Sequence, residues 1–263
     1  MASLSKYEIF FKITGCSLEI IGGLPSSCIN RFFADSFLID TGVRSADENW
    51  AWIKSNDYSS ELLNKVISEF KSKSLQFMWP VFPDATSQMK IDMDELGLLE
   101  RTTMSAMVFD SNLDHAHKIK DINPKLKTTK ALTAEDALLW ADVCWRAFSE
   151  GEEELQPEFA SFAQNAVLND KLKLTIGYFE NEPAGCYMLT LSRGIYISHF
   201  AVLPKWRNLG LGSLLMNDIM DYNNKSQNRY IALLATNSGE KLYNKYSFRS
   251  IAIIPIRSFC ERI

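Results

Sequence analysis

The sequence predicts a fold of the α+β class, a mixed α/β sheet flanked by helices and preceded by a smaller α/β domain. Three observations predict it. Strand and helix signals alternate over residues 126–255 in the order β-α-α-β-β-β-α-β-α-β. One of those strands, 195–202, is apolar on both of its faces, as a central strand covered on both sides should be. The polar, basic segment 121–129, which contains Asn123-Pro124, separates two stretches that each look capable of folding; the expected domains are 1–122 and 126–263.

Each element of the second half has its own signal. Residues 126–132 read as a first strand, and Thr133-Ala-Glu-Asp136 as a capping box opening a helix that carries Ala137, Leu138, Ala141, Val143, Cys144, Ala147 and Phe148. After an acidic loop, Pro157 suits the first turn of a second helix reaching about residue 168. Leu172, Leu174, Ile176 and Tyr178 alternate with Lys173, Thr175, Gly177 and Phe179, the period of a strand. Asn181-Glu182-Pro183 is the expected turn, and 185–191 the returning hairpin strand. Beyond the central strand, Leu211, Leu214, Leu215 and Ile219 form one helical stripe; 230–235 reads as a strand, 238–246 as a short helix and 248–254 as a last strand.

The first half shows an amphipathic helix at 59–71, with Leu62, Leu63, Val66, Ile67 and Phe70 on one face, then a strand at 75–81, a helix at 84–96 and a strand at 102–109. That last order repeats the one at 230–254. Even the helix exits correspond, Leu96-Gly97-Leu98 beside Tyr246-Ser247-Phe248, a hint of an internal pseudo-repeat.

Composition narrows the function. With 28 Lys+Arg against 32 Asp+Glu and a formal charge of −4, the chain lacks the basic surplus that nonspecific nucleic-acid binding requires. No apolar run approaches a membrane span, and Glu8 and Lys12 interrupt the only apolar stretch near the start, so neither a membrane partner nor a signal peptide is expected. The five scattered cysteines have no CxxC spacing and read as free thiols of a cytoplasmic protein, with no metal site.

The chemistry is concentrated in Val202-Leu-Pro-Lys-Trp-Arg207-Asn-Leu-Gly210-Leu-Gly212-Ser213, between a buried strand and an amphipathic helix. Glycines let the backbone turn sharply and approach a ligand. A helix N-terminus presents unpaired N–H groups and a positive dipole end, which suits a diphosphate. Lys205 and Arg207 add positive charge, and an arginine can contact phosphate with both arms. There is no GxxxxGK[ST], and R-x-x-G-x-G is not the GxGxxG of a dinucleotide site.

That R-x-x-G-x-G, placed after a strand ending Ala201-Val202-Leu203-Pro204, resembles the acyl-CoA-binding motif of the GNAT superfamily of N-acyltransferases. The resemblance spans about residues 126–255 and includes Leu242-Tyr243-Asn-Lys-Tyr-Ser-Phe248, similar to the family's L/F-Y-x-x-x-G-F segment with Ser247 in place of glycine. It implies that backbone groups of Phe200, Ala201 and Val202 pair with the pantetheine arm of acetyl-CoA where two strands splay apart. Arg207, Asn208, Leu209, Gly210, Leu211, Gly212 and Ser213 would supply the diphosphate cradle, and Asn237 a side-chain contact. Tyr243 would protonate the leaving thiolate. The implied activity is transfer of an acetyl group to a primary amine of a small molecule in a ternary complex, with the first half a degenerate copy; the alternative is a non-catalytic acyl-CoA binding or sensing protein.

The general base is less defined. Strand parity counted from Val202 puts Phe200, Ser198 and Tyr196 on the splayed face and His199 on the other, unless a bulge reverses it. Ser198 is therefore the candidate for positioning a water, and His199 reads first as a buried structural imidazole. Glu150, Glu152, Glu153, Glu154 and Glu158 read first as a solvated loop; at an acceptor entrance they would also steer a cationic amine. His115 and His117 read as an exposed pair, and Trp50, Trp52 and Trp79 as core or interface.

Overall fold

The computed structural model describes residues 4–113, 123–150 and 154–259. Helix α1 (Lys6–Gly22) opens on a capping box in which Ser5 Oγ accepts from the Glu8 amide and the Glu8 carboxylate accepts from the Ser5 amide. Strands β1 (Cys28–Phe33), β2 (Ser36–Asp40) and β3 (Trp50–Trp52) form a small antiparallel sheet. Then follow α2 (Ser60–Ser72), β4 (Trp79–Pro80), α3 (Ser87–Glu95) and β5 (Leu98–Asp110).

The second half begins with β6 (Leu126–Lys130), α4 (Ala134–Phe148) and α5 (Pro157–Val167). The predicted capping box forms, with Asp136 accepting from the Leu132 and Thr133 amides. Hairpin β7 (Leu172–Phe179) and β8 (Glu182–Leu191) turns at Glu180-Asn181, both at positive φ (50° and 72°), one step earlier than the expected Asn181-Glu182-Pro183. Two left-handed residues match the twist of a tight hairpin, so Glu182 and Pro183 are free to join the strand. The chain closes with β9 (Ile195–Val202), α6 (Leu211–Ser226), β10 (Tyr230–Ala235), α7 (Asn237–Lys245) and β11 (Arg249–Phe259).

The main sheet runs β4-β11-β5-β10-β9-β8-β7-β6. Strand β5, from the first half, is inserted between β10 and β11 of the second, while β11 lies between β4 and β5 of the first. Each half has given its last strand to the other. A parallel bridge between Trp50 and Met78 joins the small sheet to the β4 end, supported by Ala51 N donating to Met78 O at 2.9 Å.

The β5–β11 register mirrors itself about the Ile254–Met104 pair. Arg249–Val108 answers Ser258–Leu99, Ser250–Met107 answers Arg257–Glu100, and Ala252–Ala106 answers Ile256–Thr102. The irregularities match as well, since Ile251 on one strand and Arg101 on the other are skipped by the pairing. Helices α3 and α7 each have nine residues and a threonine N-cap: Thr86 Oγ1 accepts from Met89 N at 3.1 Å, and Thr236 Oγ1 from Gly239 N at 3.3 Å. Both helices exit through a left-handed residue, Gly97 at φ 79° and Ser247 at φ 64°. The hint of an internal repeat is thus a structural pseudo-twofold.

Three apolar clusters fill the layers. One lies under α1, α4 and α5 and draws on both halves, including Phe10, Trp52, Trp140 and Phe159. A second packs α6 and α7 on β9, β10 and β5, and a third packs α2 and α3 on β3 and β4. Trp52 and Trp79 are fully buried, so these tryptophans are core. Among the described residues no helix is long and apolar enough to cross a membrane.

Candidate acyl-transfer site

Strand β9 pairs in parallel with β10 only at Ile195–Ile197 against Ile231–Leu233. From Ser198 onward the two strands part, and the backbone of Phe200, Ala201 and Val202 borders the resulting cleft. On its other edge β9 stays paired with β8, but with a register shift: Met188 faces Ser198, whereas Cys186 faces Ala201. His199, at φ 51°, sits in this bulge. Its carbonyl accepts from Cys186 Sγ at 3.5 Å.

The bulge corrects the parity expected from the sequence. Tyr196 and Ala201 belong to the cluster beneath α4 and α5, while Phe200 and Val202 pack with the α6–α7 cluster. An extra residue reverses the alternation, so Ser198 does not share a face with Phe200. His199 turns toward α4 and α5, its ring centroid 5.5 Å from Trp140, 5.9 Å from Phe159 and 5.7 Å from Phe162.

The glycine turn is built for backbone donors. Gly210, the N-cap of α6, has φ 92°, a conformation costly for any residue with a Cβ. Gly212 serves a different need: a Cβ there would lie 3.2 Å from Leu242 Cδ2, so its small size lets α6 and α7 approach. Asn208 is also left-handed, at φ 64°. Among the described residues the amides of Asn208, Leu209, Gly210, Leu211, Gly212 and Ser213 donate to no acceptor, and the first helical bond of the segment is Leu214 N to Gly210 O at 3.0 Å. Six free donors around a helix N-terminus fit a diphosphate. Trp206, stacked on Phe179 at 4.7 Å, fixes the approach to this turn.

The Arg207 side chain does not point into the cradle. Its Nε donates to Val202 O at 3.1 Å, one terminal nitrogen to Ala147 O at 3.2 Å at the end of α4, and the other meets the Glu150 carboxylate at 3.3 Å. It staples β9 to α4, and Lys205 pairs with Glu182. Asn237 is the exposed first residue of α7, beside the Thr236 cap.

Tyr243, on α7, is buried with its ring against Phe200 at 5.7 Å and Phe248 at 5.9 Å. Burial, with the nearby Tyr196 adding, pushes its phenol well above the ordinary value of 10.0. Among the described residues its hydroxyl has no hydrogen-bond partner, unlike that of Tyr246, which donates within α6 to Ser213 O or Asn217 Oδ1. Burial thus holds this phenol neutral.

The feature that sequence reasoning missed is Glu48. It ends a 3₁₀ turn (Ala46–Glu48) of the first half, and both carboxylate oxygens lie 3.2 Å from His199 Nε2. A carboxylate only accepts, so in the neutral imidazole Nε2 carries the hydrogen. That leaves Nδ1 to accept from Ser198 Oγ, 3.1 Å away. Ser198, His199 and Glu48 form a hydrogen-bonded line from β9 into the first half. No spacing in the chain links residues 151 positions apart, so the sequence carried no signal for it.

Of the acidic run, Glu150 is tied to Arg207 and Glu158 is exposed near Gly42; Glu152 and Glu153 lie outside the described residues, as do His115, His117 and Cys260. Among the described residues no cluster of three His, Cys, Asp or Glu is placed to hold a metal.

Residues 146–254 match the family model described as the acetyltransferase (GNAT) domain. This stretch is a GNAT domain. Solved structures resemble the whole chain, not the GNAT domain alone. A GCN5-related N-acetyltransferase from Kribbella flavida aligns with a TM-score of 0.69 at 10% identity, covering 98% of this chain and 97% of that one. Another from Sphaerobacter thermophilus aligns at 0.59 and 11% identity over 94% and 90% of the two chains. A tandem GNAT protein from the clavulanic acid biosynthesis pathway aligns at 0.59 and 10% identity over 97% and 95%. At these identities the likeness is one of fold. No curated protein matches the sequence. The match supports acyl transfer from an acyl-CoA for this domain.

Proposed function

We propose that the protein is an N-acetyltransferase that moves an acetyl group from acetyl-CoA to a primary amine of a small molecule, by direct attack in a ternary complex. The observation that carries this reading is the run of amides from Asn208 to Ser213 that donate to no acceptor among the described residues, next to strands β9 and β10 where they part and to the buried Tyr243 packed on Phe200.

Acetyl-CoA supplies the activated thioester. The amides from Asn208 to Ser213 hold its diphosphate, and the parted backbone at Phe200–Val202 receives the pantetheine arm. Alignment of amine and thioester is the larger contribution, up to about 7–11 kcal/mol in ideal intramolecular cases. The N–C bond forms as the C–S bond breaks. The amine proton passes through the Ser198 hydroxyl to His199 Nδ1, and Glu48 holds the ring and stabilises the imidazolium. Tyr243 gives its proton to the departing sulfur, since a phenol held neutral by burial is available when the thiolate develops.

The test is release of free thiol from acetyl-CoA against a panel of amines. Turnover that collapses in Tyr243→Phe, with CoA binding retained, supports the reading. CoA binding with no turnover on any amine would leave a binding module instead.

A further inference from the structure

Beside the His199–Glu48 pair the structure has a polar pocket of about 320 Å³, lined by Arg44, Asp47, Gln76, Arg101 and Gln156 among others. It lies where the two halves meet: Gln156 caps α5, and its side-chain oxygen accepts from the Arg44 amide at 2.9 Å. Arg101 is the residue skipped in the β5–β11 ladder, and the irregularity lets its side chain leave the sheet toward Gln76 Oε1 at 3.4 Å. Neither Arg44 nor Arg101 forms a salt bridge among the described residues. Asp47 precedes Glu48 on the same turn, so the pocket opens one residue from the carboxylate that grips His199. Protein packed around the Asp47 carboxyl raises its pKa, with Glu48 adding and Arg101 and His199 opposing.

We propose that this pocket binds the acceptor and that the acceptor is zwitterionic: an amine carrying a carboxylate, of the α-amino acid or short-peptide class. The inference rests on the acyl-transfer reading above and names its substrate class. Two guanidinium groups that form no salt bridge among the described residues are suited to a carboxylate, which arginine binds with two parallel hydrogen bonds. The carboxylates of Asp47 and Glu48 draw the ammonium end toward His199, where it must lose its proton before attack. Gln76 and Gln156 supply neutral polar contacts at the rim. Two guanidinium groups without a carboxylate partner among the described residues, sharing one concave, polar space with Asp47, are the arrangement such a substrate needs.

The test uses the full chain with the standard L-α-amino acids and their C-terminal amides as probes, read by calorimetry in the presence of CoA and by thiol release. The expected result is that one or more amino acids bind and react, that the matching amide is at least about tenfold weaker, and that Arg44→Gln and Arg101→Gln raise KM by a similar factor with kcat nearly unchanged. The two variants should leave CoA affinity unchanged and narrow the difference between acid and amide. Equal use of acid and amide, or reaction only with amines lacking a carboxylate, overturns the inference and leaves the acyltransferase standing. Arginine-dependent binding of amino acids without thiol release keeps the pocket's assignment and removes the enzymatic reading. No binding and no reaction of any amino acid overturns the inference.

Discussion

Met104 and Ile254 face one another at the centre of the β5–β11 ladder, and the pairing on either side of them is its own mirror image. The halves are therefore interlocked. A chain of residues 126–263 alone would leave β10 and β11 with an empty strand position between them. We expect that piece to be unfolded or aggregated when produced alone, and to regain cooperative melting and CoA binding when residues 1–122 are supplied with it. Circular dichroism and calorimetry on the single and co-expressed pieces check this; an independently folded, CoA-binding 126–263 would contradict it.

Gly210→Ala forces a left-handed residue to carry a Cβ, at about 1–2 kcal/mol. The melting temperature should fall, and CoA affinity should fall with it as the α6 donors move. Gly212→Ala acts differently. Its Cβ meets Leu242 at 3.2 Å, so a second change, Leu242→Ala, should recover part of the loss in the Gly212 variant and none in the Gly210 variant.

Tyr243→Phe should lower kcat by about 10²-fold or more while leaving CoA affinity and the melting temperature nearly unchanged, because among the described residues the hydroxyl makes no hydrogen bond. With its pKa raised by burial, Tyr243 stays protonated past pH 10, so any loss of wild-type rate between pH 8 and 10 should persist in other variants and not trace to this phenol. A pH–rate profile on both proteins decides it.

Glu48→Gln keeps the shape of the contact but removes the charge that stabilises an imidazolium. We expect kcat to drop by about 10–10²-fold, and Glu48→Gln combined with His199→Ala to be little worse than His199→Ala alone. Additive losses would separate the two residues.

Asp136 gives an acid-side test. Backbone donors at Leu132 and Thr133 lower its folded pKa below the ordinary 3.8, so its stabilising contribution is complete above that value and is lost as pH falls through the folded pKa. The melting-temperature gap between wild type and Asp136→Asn should be widest near neutrality, begin to narrow as pH falls past the ordinary 3.8, and vanish once pH is below the folded pKa.

The local part of this protein was legible in its sequence. Leu211, Leu215 and Ile219 on one stripe, the alternation from Leu172 to Tyr178 and the threonine ahead of Asp136 all report short-range geometry, and the corresponding helix, strand and cap are present. Gly210 was legible because a left-handed N-cap nearly demands glycine. In the first half, β1 to β3 are short and irregular, so no period marked them. The bulge at His199 and the reach of Glu48 arise from pairing between distant segments, and neither leaves a trace in spacing. Arg44 and Arg101 share no motif, and only the fold sets them around one pocket.

The traded strands also bear on how the molecule assembles. Were the two copies separate polypeptides, the same pairing would make a swapped dimer whose formation depends on dilution. Joined in one chain, the partner is always present at an effective concentration of roughly millimolar order, so the interlocked state forms unimolecularly and a half without its own R-x-x-G-x-G stays in permanent attendance on the half that has it.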